Sequence, residues 1–164
     1  WKKFYNIKKN MYSEENPMVE VQKAHRQDVD VVTQLALQLW SHHNQEDLKQ
    51  EMEEYIVGEN SAVFLAMYDK KPVGFAQWQK RVDYVEGTQT SPVGYLEGIF
   101  VLPEYRRKRI AQKLVSTCEA WTLQQGCCEF ASDCPITNEQ SFQFHMSCGF
   151  QEANRIICFY KKLK

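Results

Sequence analysis

The chain lacks any apolar run long enough to cross a membrane and any leader with an apolar stretch, so neither a membrane span nor an exported precursor is expected. It also lacks an excess of either charge. Twenty Lys and Arg stand against 21 Asp and Glu, a net charge of −1, which argues against a general nucleic-acid binder. There is no CxxC pair among Cys118, Cys127, Cys128, Cys134, Cys148 and Cys158, and no histidine pair beside them, so no metal site is expected. A disulfide framework is not expected either, because 164 residues can bury a core without staples. The thiols read as reduced side chains packing as small hydrophobes, which suits the cytoplasm. A nucleophilic cysteine stays open as the minor alternative. Repeats, linkers and low-complexity segments are missing too, leaving one domain.

Residues 1–17 are basic and carry no core pattern, so they read as an N-terminal extension, native or added, ahead of a domain over 18–164. Met18 to Ala24 alternates as a strand. Asp28 can cap a helix with Val29, Val32, Leu35, Ala36 and Leu39 on its apolar face, ending near Trp40. After a polar break, Glu46 to Val57 reads as an acidic helix burying Leu48, Met52, Tyr55 and Ile56, with Gly58 as its cap. Ser61–Tyr68 and Val73–Tyr84 read as a hairpin turned at Asp69–Pro72, followed by a polar loop from Glu86 to Pro92. Beyond Gly126 come a short strand (Cys127–Ser132), a helix from Asn138 to Cys148, and a last pair of strands near Gln151 and over Arg155–Tyr160. Mixed order of this kind predicts an α/β (α+β) fold.

The stretch from Tyr95 to Ala111 organises the rest. Tyr95, Leu96, Ile99, Phe100, Val101 and Leu102 form a strand, and Pro103, with no amide to donate, ends its pairing. Arg106, Arg107, Lys108 and Arg109 then open a helix along Ile110, Leu114, Cys118 and Trp121. The first amides of a helix point outward at the positive end of its dipole, so strand, loop and basic helix start together make a place for a phosphate. The plain alternative is a solvated basic helix start. Within the strand, Glu97 is conspicuous, because an acid among apolar neighbours costs free energy unless it is paired or solvated.

The element order, together with Arg106-x-x-Arg109-x-Ala111 and with Asn138 followed by Phe144-His145-Met-Ser-Cys-Gly149-Phe150, resembles the GNAT superfamily of acetyl-CoA-dependent N-acetyltransferases. The longer run from Asp83 through Tyr84, Glu97 and Pro103 to Arg107 resembles the aminoglycoside 6′-N-acetyltransferases, as do Leu39-Trp40 and Glu129-Phe-Ala-Ser-Asp133. The resemblance implies a mixed central sheet, flanked by helices, that splays between strands four and five. It implies acetyl-CoA as co-substrate, no metal, an aminoglycoside as acceptor and a homodimer, with no nucleic-acid or membrane partner.

Residue by residue, the resemblance implies that backbone groups of Ile99 and Val101 hold the pantetheine arm and that an amide near Ile99 or Phe100 polarises the thioester. Arg106, Arg107, Lys108, Arg109, Ile110 and Ala111 would hold the pyrophosphate, and Asn138 would contact the cofactor as well as cap its helix. Glu97 would bind the amine and take its proton directly or through water; its plain alternative is an edge glutamate facing water. Asp133 would add a second carboxylate for the ammonium groups; alternatively it is a turn residue before Pro135. Trp40 and Tyr84 would wall the aminoglycoside pocket, or else be core aromatics at element ends. His145 stands where many members carry a tyrosine that protonates the leaving thiolate, a proton histidine can supply near neutral pH.

One departure from the pattern is Arg109, where the loop has glycine. Glycine permits close backbone approach and a positive φ, so a re-organised loop is expected. Rival readings are the same fold acting on another amine, and an acyl-CoA-binding module without turnover.

Overall fold

The computed structural model describes residues 18–163; the predicted extension over 1–17 lies outside them. Five strands form one sheet in sequence order: β1 (Val19–Lys23), β2 (Ser61–Tyr68), β3 (Lys71–Arg81), β4 (Val93–Val101) and β5 (Phe130–Ser132). Each of the first four runs antiparallel to its neighbour, and β5 runs parallel to β4. The helices are α1 (Val29–Leu39), α2 (Gln45–Val57), α3 (Ile110–Gln124) and α4 (Glu139–Ser147), with 3₁₀ turns at Arg26–Asp28 and Pro103–Tyr105.

Strand alternation sorts side chains between two layers. Ala62, Phe64 and Ala66 of β2 join Ala76, Trp78 and Leu96 against Ile110, Leu114, Val115 and Cys118 of α3. Their neighbours Val63 and Leu65, with Phe75, face Val32, Leu35 and Ala36 of α1 and Leu48, Met52 and Ile56 of α2. Leu48 and Met52 are fully buried, so each contributes about 1.5–3 kcal/mol by leaving water. The acidic face of α2 stays in solvent, and its start is capped by Asn44, whose Oδ1 accepts from the Glu46 amide at 2.8 Å and the Asp47 amide at 3.3 Å. Asp28 serves differently from expectation. Its carboxylate accepts from the His25 amide at 2.8 Å and closes the 3₁₀ turn ahead of α1.

The hairpin turns on Asp69 and Lys70, both left-handed (φ 48° and 66°), as a two-residue connection between right-twisted strands requires. Two features shape the site. First, Gln77 of β3 faces Gly98 while Trp78 faces Leu96, so Glu97 is the extra residue of a β-bulge. The bulge re-phases β4, letting Leu96, Ile99 and Val101 share the α3 face despite their odd spacing. Second, β5 pairs with β4 only at Gly94, Tyr95 and Leu96. From Glu97 onward β4 has no neighbour on that side among the described residues, and the sheet splays open.

The predicted C-terminal strands are corrected. Residues 151–163 form no strand and lie exposed, with Ile157, Phe159 and Tyr160 at 80%, 91% and 96% exposure. Their composition favours a strand, but a strand exists only against an edge, and this segment meets none among the described residues.

Candidate active site

The splay opens a cleft of about 490 Å³ between β4, the start of α3, the residues after β5, and α4. One end is built from backbone. Leu102 donates its amide to the Val73 carbonyl at 2.8 Å, so by strand alternation the amides and carbonyls of Ile99 and Val101 turn away from β3 toward the splay. Past the 3₁₀ turn, Arg107 (φ 61°) and Arg109 (φ 59°) are both left-handed. Arg109 is the N-cap of α3 without a side-chain cap bond, and the first helical bond runs from the Lys113 amide to the Arg109 carbonyl at 3.1 Å. The amides of Ile110, Ala111 and Gln112 therefore have no intrahelical acceptor, and these residues line the cleft beside Arg106, Arg107 and Arg109. Arginine has kept the conformation that glycine would take, at about 1–2 kcal/mol of left-handed strain.

The other end is built from side chains. Glu97, placed by the bulge, accepts both bonds of the Arg81 guanidinium, Nε to Oε1 at 2.8 Å and Nη2 to Oε2 at 2.7 Å. Its side chain is 16% exposed, so the pairing offsets a real desolvation cost. Arg81 in turn lies 3.4 Å above the Tyr95 ring, and the Tyr95 hydroxyl donates to Asp133 Oδ1 at 2.5 Å. Burial, helped by that bond, pushes the Tyr95 hydroxyl well above its ordinary pKa, so it remains a donor. Trp40 closes this end, packed edge-on to Phe75 at 5.9 Å between ring centres. It lies so close to the bulge that a Cβ on Gly98 would meet its Cζ2 at 2.6 Å.

Between the ends sits His145. Its Nδ1 lies 2.7 Å from the Ser141 carbonyl, which can only accept, so Nδ1 carries a proton. Nε2 is 3.0 Å from Ser132 Oγ, itself 3.1 Å from the Leu96 carbonyl. A neutral ring accepts the Ser132 proton; a charged ring donates to the hydroxyl, which then turns to Leu96. Asn138 caps α4 by accepting from the Ser141 amide at 3.0 Å and also lines the cleft.

Thirteen of the predicted site residues thus meet in one cleft: Trp40, Glu97, Ile99, Phe100, Val101, Arg106, Arg107, Arg109, Ile110, Ala111, Asp133, Asn138 and His145. Two do not. Tyr84 is 80% exposed with its hydroxyl donating to Glu86 at 3.1 Å, and Lys108 reaches the Tyr68 ring, 5.4 Å from its centre. Arg106 folds back, its Nε donating to the Val101 carbonyl at 3.2 Å. Sequence reasoning missed Arg81 and Ser132, and took Tyr95 only as a strand residue. The available signal was the need of Glu97 for a partner, but nothing local says that the partner is sixteen residues away. Of the cysteines only Cys134 lines the cleft; Cys118 is sealed in the core, where burial pushes its thiol far above the ordinary value. Among the described residues no cluster of His, Cys, Asp and Glu has metal-binding geometry.

A splayed sheet with an unpaired strand edge leading into a basic helix start makes a cleft for an extended anionic ligand, and the family match gives the class of protein. Residues 29–150 match the acetyltransferase (GNAT) family, and the chain belongs to it. Within that family the chain is similar to proteins of one kind. It is 38% identical over 144 residues to the aminoglycoside N(6′)-acetyltransferase type 1 of Salmonella typhimurium, covering 88% of this chain and 99% of that protein. Against the protein of the same name from Acinetobacter baumannii it is 44% identical over 126 residues, covering 76% and 86%. Among solved structures, the aminoglycoside N-acetyltransferase AAC(6′)-Iy in complex with CoA superposes with a TM-score of 0.87 at 34% identity, covering 92% of this chain and 99% of that one. The 6′-N-acetyltransferase AAC(6′)-Ih from Acinetobacter baumannii gives 0.84 at 38%, covering 90% and 100%.

Proposed function

We propose that the chain transfers the acetyl group of acetyl-CoA to the 6′-amine of aminoglycoside antibiotics and so confers resistance to them. The observation that carries this reading is the polarity of the cleft: unpartnered amides and arginines at one end, two carboxylates and an indole at the other. A polyanion and a polycation can occupy it together, which is what direct transfer requires.

In this reading the α3 amides, brought round by the left-handed backbones of Arg107 and Arg109, hold the pyrophosphate, and the Ile99 and Val101 backbone groups hold the pantetheine arm. Acetyl-CoA supplies the activated acyl group. A β4 amide at Ile99 faces the thioester carbonyl and stabilises the charge that develops on its oxygen. Glu97 and Asp133 hold the substrate's ammonium groups, and Trp40 offers a face to a sugar ring. The attacking amine must be neutral, and its proton leaves to Glu97 or to water. His145 returns a proton to the leaving thiolate, through Nε2 or across the Ser132 hydroxyl. No covalent enzyme intermediate is needed.

The proposal includes a homodimer and a cytoplasmic location. Residues 151–163 carry large apolar side chains in solvent, and the outer edge of β5 pairs with no strand among the described residues. A second copy would cover both. Six free thiols suit a reducing compartment. Replacing Ile157 and Phe159 together by Asp is expected to shift the mass measured by light scattering from two chains to one.

The deciding assay is release of free thiol from acetyl-CoA with kanamycin or tobramycin, beside a drug bearing a hydroxyl at the 6′ position. Thiol release only with the 6′-amine drugs is expected. Silence with both, while acetyl-CoA binds tightly, would favour another amine; silence without binding would leave no acetyltransferase at all.

A further inference from the structure

Glu97 and Asp133 stand on opposite sides of the splay. Glu97 is on β4, and Asp133 follows the last residue of β5, just beyond the final paired position, Leu96 with Ser132. The ladder fixes their backbones but ends one residue short of both, so the spacing of the carboxylates themselves, which a ligand with two ammonium groups reads directly, is left to side chains. Side chains span the gap instead. The contacts run without interruption from Glu97 to Arg81 (2.8 and 2.7 Å), from Arg81 to the face of Tyr95 (3.4 Å), and from Tyr95 to Asp133 (2.5 Å).

We infer that Arg81 and Tyr95 act as one strut that fixes the spacing of the two carboxylates, and so selects acceptors whose ammonium groups match that spacing. The inference rests on the aminoglycoside reading above and names two positioning residues for it. Both carboxylates line the cleft, whereas Arg81 and Tyr95 do not, so the strut stands behind the acids. Each carboxylate carries about four lone-pair sites; the strut uses two on Glu97 and one on Asp133, and the remainder face the ligand. Stacking on Tyr95 restricts the guanidinium to the plane in which its fork meets Glu97, a geometry that a lysine ammonium cannot reproduce. The Tyr95 hydroxyl, held as a donor, keeps Asp133 turned toward the same end of the cleft.

The test is a double-mutant cycle on the full chain with Tyr95→Phe, Arg81→Met and both together. It reads KM for kanamycin, KM for acetyl-CoA and kcat, with 6-amino-6-deoxyglucose as a monoamine acceptor. Losing one charge-assisted bond is worth roughly 10- to 100-fold. Tyr95→Phe is expected to raise the kanamycin KM about tenfold on that basis, with kcat and the acetyl-CoA KM held, and to leave the monoamine's KM unaltered. Arg81→Met should raise it more, and the double variant no further than Arg81→Met alone, because either change breaks the same strut. Arg81→Lys should fail to rescue. Multiplicative losses, equal losses on kanamycin and the monoamine, or rescue by lysine would each overturn the strut. A wild-type chain silent on kanamycin would instead sink the aminoglycoside reading, and the selectivity with it. Turnover by wild type with an unaltered kanamycin KM in Tyr95→Phe would sink the strut alone.

Discussion

The two ends of the cleft are built from different materials. The end that faces the α3 helix start is backbone: amides of Ile110, Ala111 and Gln112, the outward groups of Ile99 and Val101, and two left-handed residues that bring them round. The end around Glu97 is side chain on side chain: Arg81, Tyr95, Asp133 and Trp40. Backbone survives most substitutions and answers mainly to conformation. A side-chain constellation answers to every atom it loses, which makes that end the place where acceptor preference can be tuned.

The sharpest way to break this comparison is Glu97→Gln. It leaves the Arg81 guanidinium without its counter-charge and removes the carboxylate proposed to anchor the amine. A drop of about 100-fold or more in kcat/KM for kanamycin is expected, consistent with the cost of breaking a partly buried pair. Acetyl-CoA affinity by calorimetry should stay within a factor of about three, since the other end does not use Glu97. Next in size is Gly98→Ala. Its Cβ would meet the Trp40 indole at 2.6 Å. Overpacking of that kind costs about 1–3 kcal/mol, so a roughly tenfold rise in kanamycin KM should accompany a shift in tryptophan fluorescence. An unshifted spectrum would mean that Trp40 does not depend on the bulge.

Arg109→Gly probes the other end and should move little. Left-handed strain is relieved and chain entropy is lost, for a net gain of up to about 1 kcal/mol and a Tm higher by a few degrees. If backbone holds the phosphates, acetyl-CoA KM should change by less than about threefold. A large loss would show that the guanidinium carries the binding.

The smallest effect concerns the loop before β4. Glu129 accepts from the amides of Gln89 (2.9 Å) and Thr90 (2.6 Å) and from the Thr90 hydroxyl. The Thr90 hydroxyl first, then the Gln89 amide, hold its carboxyl below the ordinary glutamate value. A carboxylate whose folded pKa lies below its unfolded one contributes stability above the unfolded value and loses it as pH falls through the folded one. Tm plotted against pH should therefore separate wild type from Glu129→Gln at neutral pH and bring them together in acid. Curves that stay parallel would remove the loop's dependence on that charge.

Local signals were enough for much of this molecule. The apolar face is buried at Val29, Val32, Leu35 and Ala36 as its spacing predicts, though Leu39 is exposed; the turn falls between β2 and β3, shortened to Asp69 and Lys70, and the basic run does open a helix. Thirteen predicted site residues converge because they come from segments whose order already defines the splay. What escaped sequence reasoning depends on partners remote in the chain. Tyr84 looked like a pocket wall yet points to solvent, because the polar loop after β3 carries it outward. Residues 151–163 looked like strands, and their composition still says so, but no edge among the described residues receives them.

By itself, then, the sequence determined the elements from β1 to α4, the basic helix start with its free amides and the need of Glu97 for a partner, since these follow from spacing, backbone chemistry and the cost of burying a charge. Only the tertiary structure decided that the partner is Arg81, that Tyr95 links it to Asp133, and that Gly98 leaves room for Trp40. Those contacts join residues on different elements, and which strands lie side by side, in which register and with which bulge, is a property of the assembled sheet.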